Sequence, residues 1–360
     1  MNHSVLISLL LVMSAVSGAR AQAPPASTEN RFNTRYALSI IDDATFYGNR
    51  SEPIPGVLNQ VLVEPQLSLR YRDRVTVATS LIGISETYSD NSTRLRIRET
   101  YTDLSAGNFD FTLGRKMVRW GTGYAFTAAG VLDPPRIPTD PTDRLNVNEG
   151  RDMIKADWVH GQSALTLAWS SAALAPAGTN LHDTTAFRYN VLVRGFDTSL
   201  IAGKDRGGDS FGALTFTRVF GQAVELHGEA AWREQAAALL GAKYTVANID
   251  FIGEFYTPPN IPYYRDPGVS PLAGRQHYAF FDAGKARLRD LPGWKEWGLD
   301  GYIVANLNDH SYTGVCDVSR WFGNHFSSYV HFEAPRGNKA SEYGSAPYAT
   351  AASVGVRFQL

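Results

Sequence analysis

The last eight residues of the chain are Ser353-Val354-Gly355-Val356-Arg357-Phe358-Gln359-Leu360. Four of them are apolar and stand at every second position: Val354, Val356, Phe358 and Leu360. Successive side chains of a β-strand point to opposite sides, so these four share one face of an extended chain. The stretch therefore predicts a strand that is apolar on one side and that runs to the end of the polypeptide.

The same two-residue period recurs in stretches of about ten residues, the length that a tilted strand needs to cross a bilayer. It is clearest in five segments: 61–71, 224–232, 249–256, 297–308 and 326–334. In the second of these, Leu226 and Trp232 alternate with His227 and Glu229. A soluble β-sandwich with one wet face would show the same alternation, so the period predicts strands without choosing between water and lipid.

The connections between these segments favour a barrel. Tight turns such as Arg72-Asp73-Arg74 and Phe322-Gly323-Asn324 alternate with longer loops. The longest loops are 43–57, 122–150, 172–184, 258–274 and 335–348. Strict alternation of tight turns with long loops is typical of transmembrane barrels. We therefore predict an all-β fold, a transmembrane antiparallel up-and-down β-barrel of about eighteen strands, or sixteen if the first or the sixteenth segment fails to form. The predicted strands start near residues 33, 59, 75, 93, 109, 151, 163, 185, 198, 210, 223, 236, 249, 276, 297, 313, 325 and 349.

Composition narrows the classes of protein further. The 360 residues are 44% hydrophobic and only 19% charged, which argues against disorder. A net charge of -1 lacks the basic excess of a nucleic-acid-binding protein. The single cysteine, Cys316, excludes an internal disulfide framework and a multi-cysteine metal site.

The N-terminal stretch 1–21 predicts an export signal. An apolar run from Val5 to Val16 precedes Ala19-Arg20-Ala21, which has the small-residue pattern of a signal-peptidase site. Beyond it, no stretch approaches the 18 uninterrupted apolar residues of a transmembrane helix. We therefore expect a cleaved signal peptide (1–21), a short N-terminal segment (22–32) and a single barrel over 33–360 with the long loop 122–150.

The order polar-x-Gly-x-x-aromatic-x-apolar at the C-terminus resembles the signal by which the barrel-assembly machinery takes up outer-membrane proteins. The residues that carry this resemblance are Gly355, Phe358 and Leu360, with Leu360 standing where Phe is more frequent. By its pattern of strands the whole mature chain resembles Gram-negative outer-membrane β-barrels of the porin kind. The resemblance implies a location in the cell outer membrane, contact with outer-membrane lipid and with the assembly machinery, and a homotrimer, since many porins form one.

If the polar faces line a lumen, charged residues divide between two walls. The basic candidates lie on the earlier strands: Arg70, Arg94, Arg96, Arg98, Lys155, Arg188 and Arg194. The acidic candidates lie on the later strands: Glu225, Glu229, Asp250, Glu254, Asp300 and Glu333. Three guanidinium groups on one face at 94, 96 and 98 would form a ladder for carboxylate or phosphate groups, which predicts a preference for anions. Alternatively, these charges are solvated lumen residues paired with their neighbours.

The long loop is rich in proline and glycine and cannot continue as a strand. In porins of this general kind a long loop folds inward and narrows the pore, and an extracellular cap over the mouth is the alternative. The candidate pore-facing charges are Asp133, Arg136, Asp140, Asp143 and Arg144. Loop 258–274, with its prolines, is a second candidate for covering the same opening.

The short motifs associated with catalysis do not form a consistent site. His-x-Ser occurs at His325-Phe326-Ser327, beside the predicted turn 322–324, and Gly208-Asp209-Ser210-Phe211-Gly212 fits G-x-S-x-G, but it stands at the start of a predicted strand and no helix follows, as a nucleophile elbow requires. The chain has no Ser-x-His and no H-E-x-x-H, and Asp309-His310 would point to opposite faces of a strand. No reaction, cofactor or metal is therefore expected. The sequence favours a channel for passive diffusion of small hydrophilic, in particular anionic, solutes. The alternatives are a loop-plugged outer-membrane barrel acting in adhesion, polysaccharide export or envelope assembly, and a secreted soluble β-protein.

Overall fold

The computed structural model describes residues 32–51, 54–87, 92–134, 136, 145, 148–173, 183–206, 209–233, 235–258, 276–289 and 292–360. These residues form eighteen strands and one short 3-10 helix, Tyr343–Ser345. The strands are β1 Phe32–Gly48, β2 Val57–Tyr71, β3 Val75–Thr87, β4 Ser92–Ala106, β5 Phe109–Lys116, β6 Arg151–His160, β7 Ser163–Ser171, β8 Thr184–Val193, β9 Phe196–Asp205, β10 Ser210–Phe220, β11 Val224–Arg233, β12 Gln235–Val246, β13 Ile249–Thr257, β14 Tyr278–Lys285, β15 Trp297–Asn306, β16 Ser311–Phe322, β17 Phe326–Arg336 and β18 Thr350–Gln359. Among the described residues there is no helix long and apolar enough to span a membrane.

The strands close into a barrel. Each pairs antiparallel with its neighbours in the sequence, and β1 pairs with β18 from Ser39 opposite Gln359 to Gly48 opposite Thr350. The two segments that were uncertain from sequence, β1 and β16, are both complete strands. The prediction of an all-β, antiparallel up-and-down barrel of about eighteen strands is confirmed, and the predicted starts lie within two residues of the observed ones.

The two faces of the barrel wall differ as the period predicts. On β4, Leu95 is 76% exposed on the outside, and on β11, Glu229 is 4% exposed on the inside. Large apolar side chains are exposed around the whole outer surface, including Leu240, Phe281 and Val330. The distribution is therefore inverted relative to a water-soluble domain, in which such residues form the core.

One end of the barrel carries tight turns. Arg72-Asp73, Arg194-Gly195 and Ala247-Asn248 all have positive φ at both positions, as in the type I′ turns that suit the twist of hairpins. Arg194 therefore lies in a turn and not on the polar face of a strand, where the sequence placed it. The expected 43–57 loop is shorter than predicted, because 43–48 belong to β1.

Strict alternation of short turns with long loops is wrong at several positions. At the end opposite the tight turns, β11 and β12 are joined through a single residue and β15 and β16 through 307–310. The β14–β15 connection, 286–296, is long although it lies at the turn end. Connection length is a local property that closure of the barrel does not constrain.

Candidate functional site

The connection between β5 and β6 folds into the barrel. We call residues 117–134, the longest described stretch of this connection, the inward segment. Trp120, Ala129 and Leu132 are buried against inward-facing side chains of β7–β10. The barrel side of this cluster consists of Ala168, Ala186, Ile201, Phe211 and Ala213. Small residues at 168, 186 and 213 leave room for the indole ring of Trp120.

A second apolar patch holds the middle of the inward segment. Phe126 stacks on Tyr256 of β13, with ring centroids 4.8 Å apart, and meets Phe280 of β14 edge-on at 6.4 Å. Ala125 belongs to the same cluster, with Leu239 of β12. Burying a side chain of this size contributes about 2–3 kcal/mol. The segment is therefore fixed to the wall by apolar burial along much of its described length.

The same connection also reaches the opposite wall. Leu145 packs with Ile41, Leu62, Ile82 and Ile84 of β1–β3. β3 and β12 lie nine strands apart in a ring of eighteen, and thus on opposite sides. The connection therefore contacts both sides of the interior.

Two buried carboxylates bind the backbone of the inward segment. Glu229 of β11 accepts hydrogen bonds from the amides of Thr122, Gly123 (2.9 Å), Ala128 (2.6 Å) and Ala129 (2.7 Å). Buried amides outside the strands need an acceptor, and a carboxylate is a strong one. Glu229 lies on the inner side of the barrel wall, where the segment covers it, and it is not exposed to a lumen.

Glu254 of β13 repeats this arrangement. It accepts the amides of Tyr124 (2.5 Å), Ala125 (3.0 Å) and Phe126 (3.3 Å). It too is buried beneath the segment and does not line open space, unlike the pore-lining role that the sequence suggested. The sequence held no signal for this role, because the acceptor and its donors are more than a hundred positions apart.

Asp133 closes the inward segment on itself. Its Oδ1 accepts the amide of Trp120 at 2.6 Å and its Oδ2 that of Gly121 at 3.1 Å, and Arg136 Nη2 lies 3.5 Å away. Burial raises the pKa of Asp133 to about 6, although the hydrogen bonds from the two backbone amides act in the opposite direction. Asp133 therefore stabilises the segment from within. It is not the pore-facing charge that the sequence suggested. Asp140, Asp143 and Arg144 lie outside the described residues, as does most of loop 258–274.

The arginine ladder of β4 is neutralised by carboxylates. Arg94 pairs with Glu86 at 3.4 Å, Arg96 with Glu149 at 3.1 Å and Arg98 with Glu64 at 2.6 Å. The three arginines do share the face opposite the exposed Leu95 and Ile97. A register shift between β3 and β4 pairs Ser80 with Glu99 and Leu81 with Ile97, so Arg98 lies at a bulge.

Three of the other predicted basic residues, Lys155, Arg188 and Arg70, also have partners. Lys155 pairs with Asp157 on its own strand, and Arg188 Nε donates to Ser199 Oγ at 3.0 Å. Arg70 lies at the β2–β3 turn and pairs with Asp73 at 3.0 Å. The structure therefore does not gather the basic candidates into one open basic patch.

The later strands carry carboxylates with fewer cationic partners. We call the inward carboxylates of β13–β17 the acidic wall: Asp250, Glu254, Asp282, Asp300, Asp317 and Glu333. Asp300 and Asp317 are directly opposite each other across two paired strands. Asp250 pairs with Lys243 at 2.9 Å, and Asp317 with His331 at 2.9 Å. Over these five fully described strands, the inward positions carry no Lys or Arg.

Sequence reasoning missed Asp282 and Asp317. Asp282 follows Tyr278 and Phe280 at every second position of β14, and this alternation was a usable signal. Asp317 lies on β16, whose alternation is poor. Of the predicted acids, Glu225 accepts the Tyr124 hydroxyl at 3.1 Å and Glu333 that of Tyr348 at 3.2 Å.

A second connection, 337–349 between β17 and β18, also enters the interior. Tyr343 packs against the Phe126 cluster. Glu342 accepts the Tyr278 hydroxyl at 2.8 Å and Asn306 Nδ2 at 2.6 Å. In the part of the chain that the structure describes, no group of three or more His, Cys, Asp or Glu is placed to hold a metal ion.

The C-terminal motif residues lie at the closure of the barrel. Phe358 pairs with Phe326 of β17 and with Ile40 of β1. Gly355 lies beneath the Tyr329 ring, where a Cβ would be 2.3 Å from the ring carbon Cζ. Leu360 hydrogen-bonds through its backbone to Leu38.

Comparison with known proteins gives a likeness in structure and none in sequence. No protein-family model matches the chain, and no curated protein matches it significantly. Pseudomonas aeruginosa OccK5 (OpdH) matches with a TM-score of 0.60 and 8% identity, covering 91% of this chain and 98% of that one. Engineered variants of Rh. blastica porin match with a TM-score of 0.49 and 10% identity, covering 91% of this chain and 100% of theirs. At such identity the likeness to OccK5 concerns the fold alone.

Proposed function

We propose that this protein is a channel of the bacterial outer membrane, through which small hydrophilic solutes diffuse passively and in which no reaction is catalysed. The observation that carries this proposal is the inverted barrel: a closed ring of eighteen strands whose large apolar side chains are exposed on the outside, and whose charged side chains face the interior beside the apolar patches that hold the connections. Barrels of sixteen to eighteen strands are too wide for their side chains to fill and leave an aqueous passage. The inward segment narrows that passage.

The outer surface supports a location in lipid. Aromatic side chains are exposed at the end with the tight turns, among them Phe109, Phe220, Phe322 and Phe326. The guanidinium of Arg218 lies over the rings of Phe196 and Phe220, at 4.5 and 4.6 Å from their centroids. Girdles of aromatic rings at this level are typical of the membrane–water interface of transmembrane barrels.

The pairing of charges in the interior affects whether the channel prefers cations or anions. Each arginine of the ladder already has a carboxylate partner, which argues against the anion preference expected from the sequence. The acidic wall has no Lys or Arg on its own inward face. Charged side chains that line a pore tune which ions pass. We therefore expect the channel to prefer cations.

The alternative is a plugged barrel that acts in adhesion, polysaccharide export or envelope assembly. It is favoured by one observation: the β5–β6 and β17–β18 connections both enter the interior. Conductance of the purified protein in planar lipid bilayers separates the two. Discrete steps are expected for the channel, and membranes that stay silent would support the plug.

Three further parts of the proposal concern export and assembly. We propose that residues 1–21 are removed on export, that Gly355, Phe358 and Leu360 form the signal read by the barrel-assembly machinery, and that the barrel forms a homotrimer. The mass of the purified protein tests the first, and outer-membrane yield of a Phe358→Ala variant tests the second. Chemical cross-linking in the membrane tests the third.

A further inference from the structure

His227 of β11 is fully buried (0% exposed) beneath the inward segment, whose Tyr124 ring meets it edge-on at 5.3 Å. Its Nε2 lies 3.0 Å from Glu254 Oε1, and its Nδ1 lies 3.5 Å from Glu225 Oε1. Among the described residues Nδ1 has no hydrogen-bond partner. The imidazole is therefore placed between two carboxylates, one at each ring nitrogen.

This contact crosses a whole strand. β12 lies between β11 and β13, and the register pairs His227 with Gly241 and Gly241 with Glu254. A Cβ at Gly241 would lie 2.3 Å from His227 Nε2 and 2.9 Å from Glu254 Cγ. Only glycine at this position lets the imidazole reach across β12.

The atom that His227 contacts also holds the inward segment. Glu254 Oε1 accepts the amide of Tyr124, and Oε2 accepts those of Ala125 and Phe126. A carboxylate that is fixed from below presents its oxygens to these amides in one orientation. The position of His227 thus bears on the position of the segment at its centre.

We propose that His227 is the positioning residue of the constriction: its Nε2, reaching across Gly241, holds the Glu254 carboxylate under the segment. The proposal rests on the proposed function, in which this segment narrows the passage. Without the imidazole, Glu254 would lose the contact that fixes its orientation from the side of the wall. The amides of residues 124–126, which Glu254 accepts, would then be held less tightly.

The neighbouring strands leave this contact to the imidazole. Lys243 of β12 is paired with Asp250 at 2.9 Å, and β10 places Thr217 opposite His227. Among the described side chains of the wall, His227 is therefore the one that contacts Glu254 at hydrogen-bond distance.

Hydrogen exchange of the full-length protein, folded in detergent and followed by mass spectrometry, tests the proposal without relying on conductance. In His227→Gln, we expect the amides of residues 124–126 to exchange about tenfold faster than in the wild type at neutral pH, as when a hydrogen bond to a charged group is weakened. The amides of Ala128 and Ala129, which Glu229 accepts, should keep their protection in this variant. His331→Gln is the matched control, since His331 is also buried and bonded to a carboxylate, that of Asp317.

A further variant keeps the test decisive if His227→Gln does not fold, as judged by heat-modifiable migration in gels. Gly241→Ala should expose the amides of residues 124–126 while leaving both partners chemically intact. Equal protection of these amides in the wild type and in Gly241→Ala would overturn the proposal. Silent bilayers with these exchange results intact would instead overturn the channel function.

Discussion

The carboxylates inside this barrel fall into two groups with different partners. Glu229 and Glu254 are buried and bind backbone amides, whereas Asp300 and Asp317 face each other on the wall. A buried carboxylate is tolerated only where donors replace its hydration. The amides of the inward segment supply those donors, so the segment and the two glutamates stabilise each other.

Replacing Glu229 should release part of the segment. Glu229→Gln keeps the size of the side chain but gives up one acceptor oxygen and the charge, which we expect to cost about 2–3 kcal/mol. Single-channel recordings should then show larger and noisier steps than those of the wild type. Glu296→Gln, whose side chain is 50% exposed in the β14–β15 connection, is the control for conductance, and equal traces for all three proteins would refute the anchoring role of Glu229.

Asp133 gives a pH dependence whose sign follows from burial. Its pKa is raised from 3.8 to about 6, so the folded protein holds this proton more tightly than the unfolded chain does. The stabilisation is complete below the unfolded pKa and is lost as the pH rises through about 6. The difference between the thermal unfolding midpoints of the wild type and of Asp133→Asn in detergent should therefore shift in favour of the wild type when the pH is lowered from 7.5 to 5. Parallel pH profiles of the two proteins would contradict this prediction.

At the scale of elements, the seam formed by β2, β3 and β4 depends on one ion pair. The bulge at Arg98 directs its guanidinium to Glu64, 2.6 Å away, and Ser80 Oγ donates to the same Glu64 oxygen at 2.8 Å. The Arg98 side chain is only 7% exposed, while that of Arg94 is 53% exposed. Two arginines on one strand face therefore differ in their importance for stability.

Arg98→Ala should be strongly destabilising, because it leaves a largely buried carboxylate without its partner. We expect a loss of about 3–5 kcal/mol in the free energy of unfolding. Arg94→Ala, which breaks an exposed pair, should cost about 0–1 kcal/mol. Denaturant titration of both variants in lipid vesicles measures the difference, and similar losses for the two would show that the bulge does not matter.

At the scale of the whole molecule, the charges of the lumen are distributed unevenly. The early strands hold cations and anions in pairs, and the acidic wall holds Asp282, Asp300 and Asp317 on three adjacent strands. Asp317 contacts His331 at 2.9 Å, but over the five strands of the acidic wall no Lys or Arg occupies an inward position, so these carboxylates leave a net potential in the passage. The lumen as a whole is therefore expected to attract cations.

The triple variant Asp282→Asn, Asp300→Asn and Asp317→Asn tests this expectation. In a potassium chloride gradient the wild-type reversal potential should have the sign of cation preference, and the triple variant should move it toward zero. Asp110→Asn, exposed near a tight turn, is the matched control and should leave it unchanged. Anion preference in the wild type would refute the charge assignment while leaving the channel function in place.

The strands themselves were largely predictable. Segments such as 224–232 and 326–334 alternate between apolar and polar side chains, and in the structure these lie on the outer and inner faces of the wall. The prediction succeeds because successive side chains of a strand point to opposite faces, so the two environments of the wall appear as a two-residue period in the sequence. Connections were less predictable, as 43–57 and 286–296 show, since their lengths follow no such period.

About eighteen strands, their order and the apolar side of the clearly alternating ones could be predicted from local patterns, because these depend on residues next to one another. Which charges meet is known only from the folded barrel: Arg96 pairs with Glu149, Glu229 and Glu254 bind the inward segment, and Gly241 opens a path for His227. Closure of the barrel explains the difference. Rolling the sheet into a ring brings positions far apart in the chain within hydrogen-bond distance, and no local pattern records that distance.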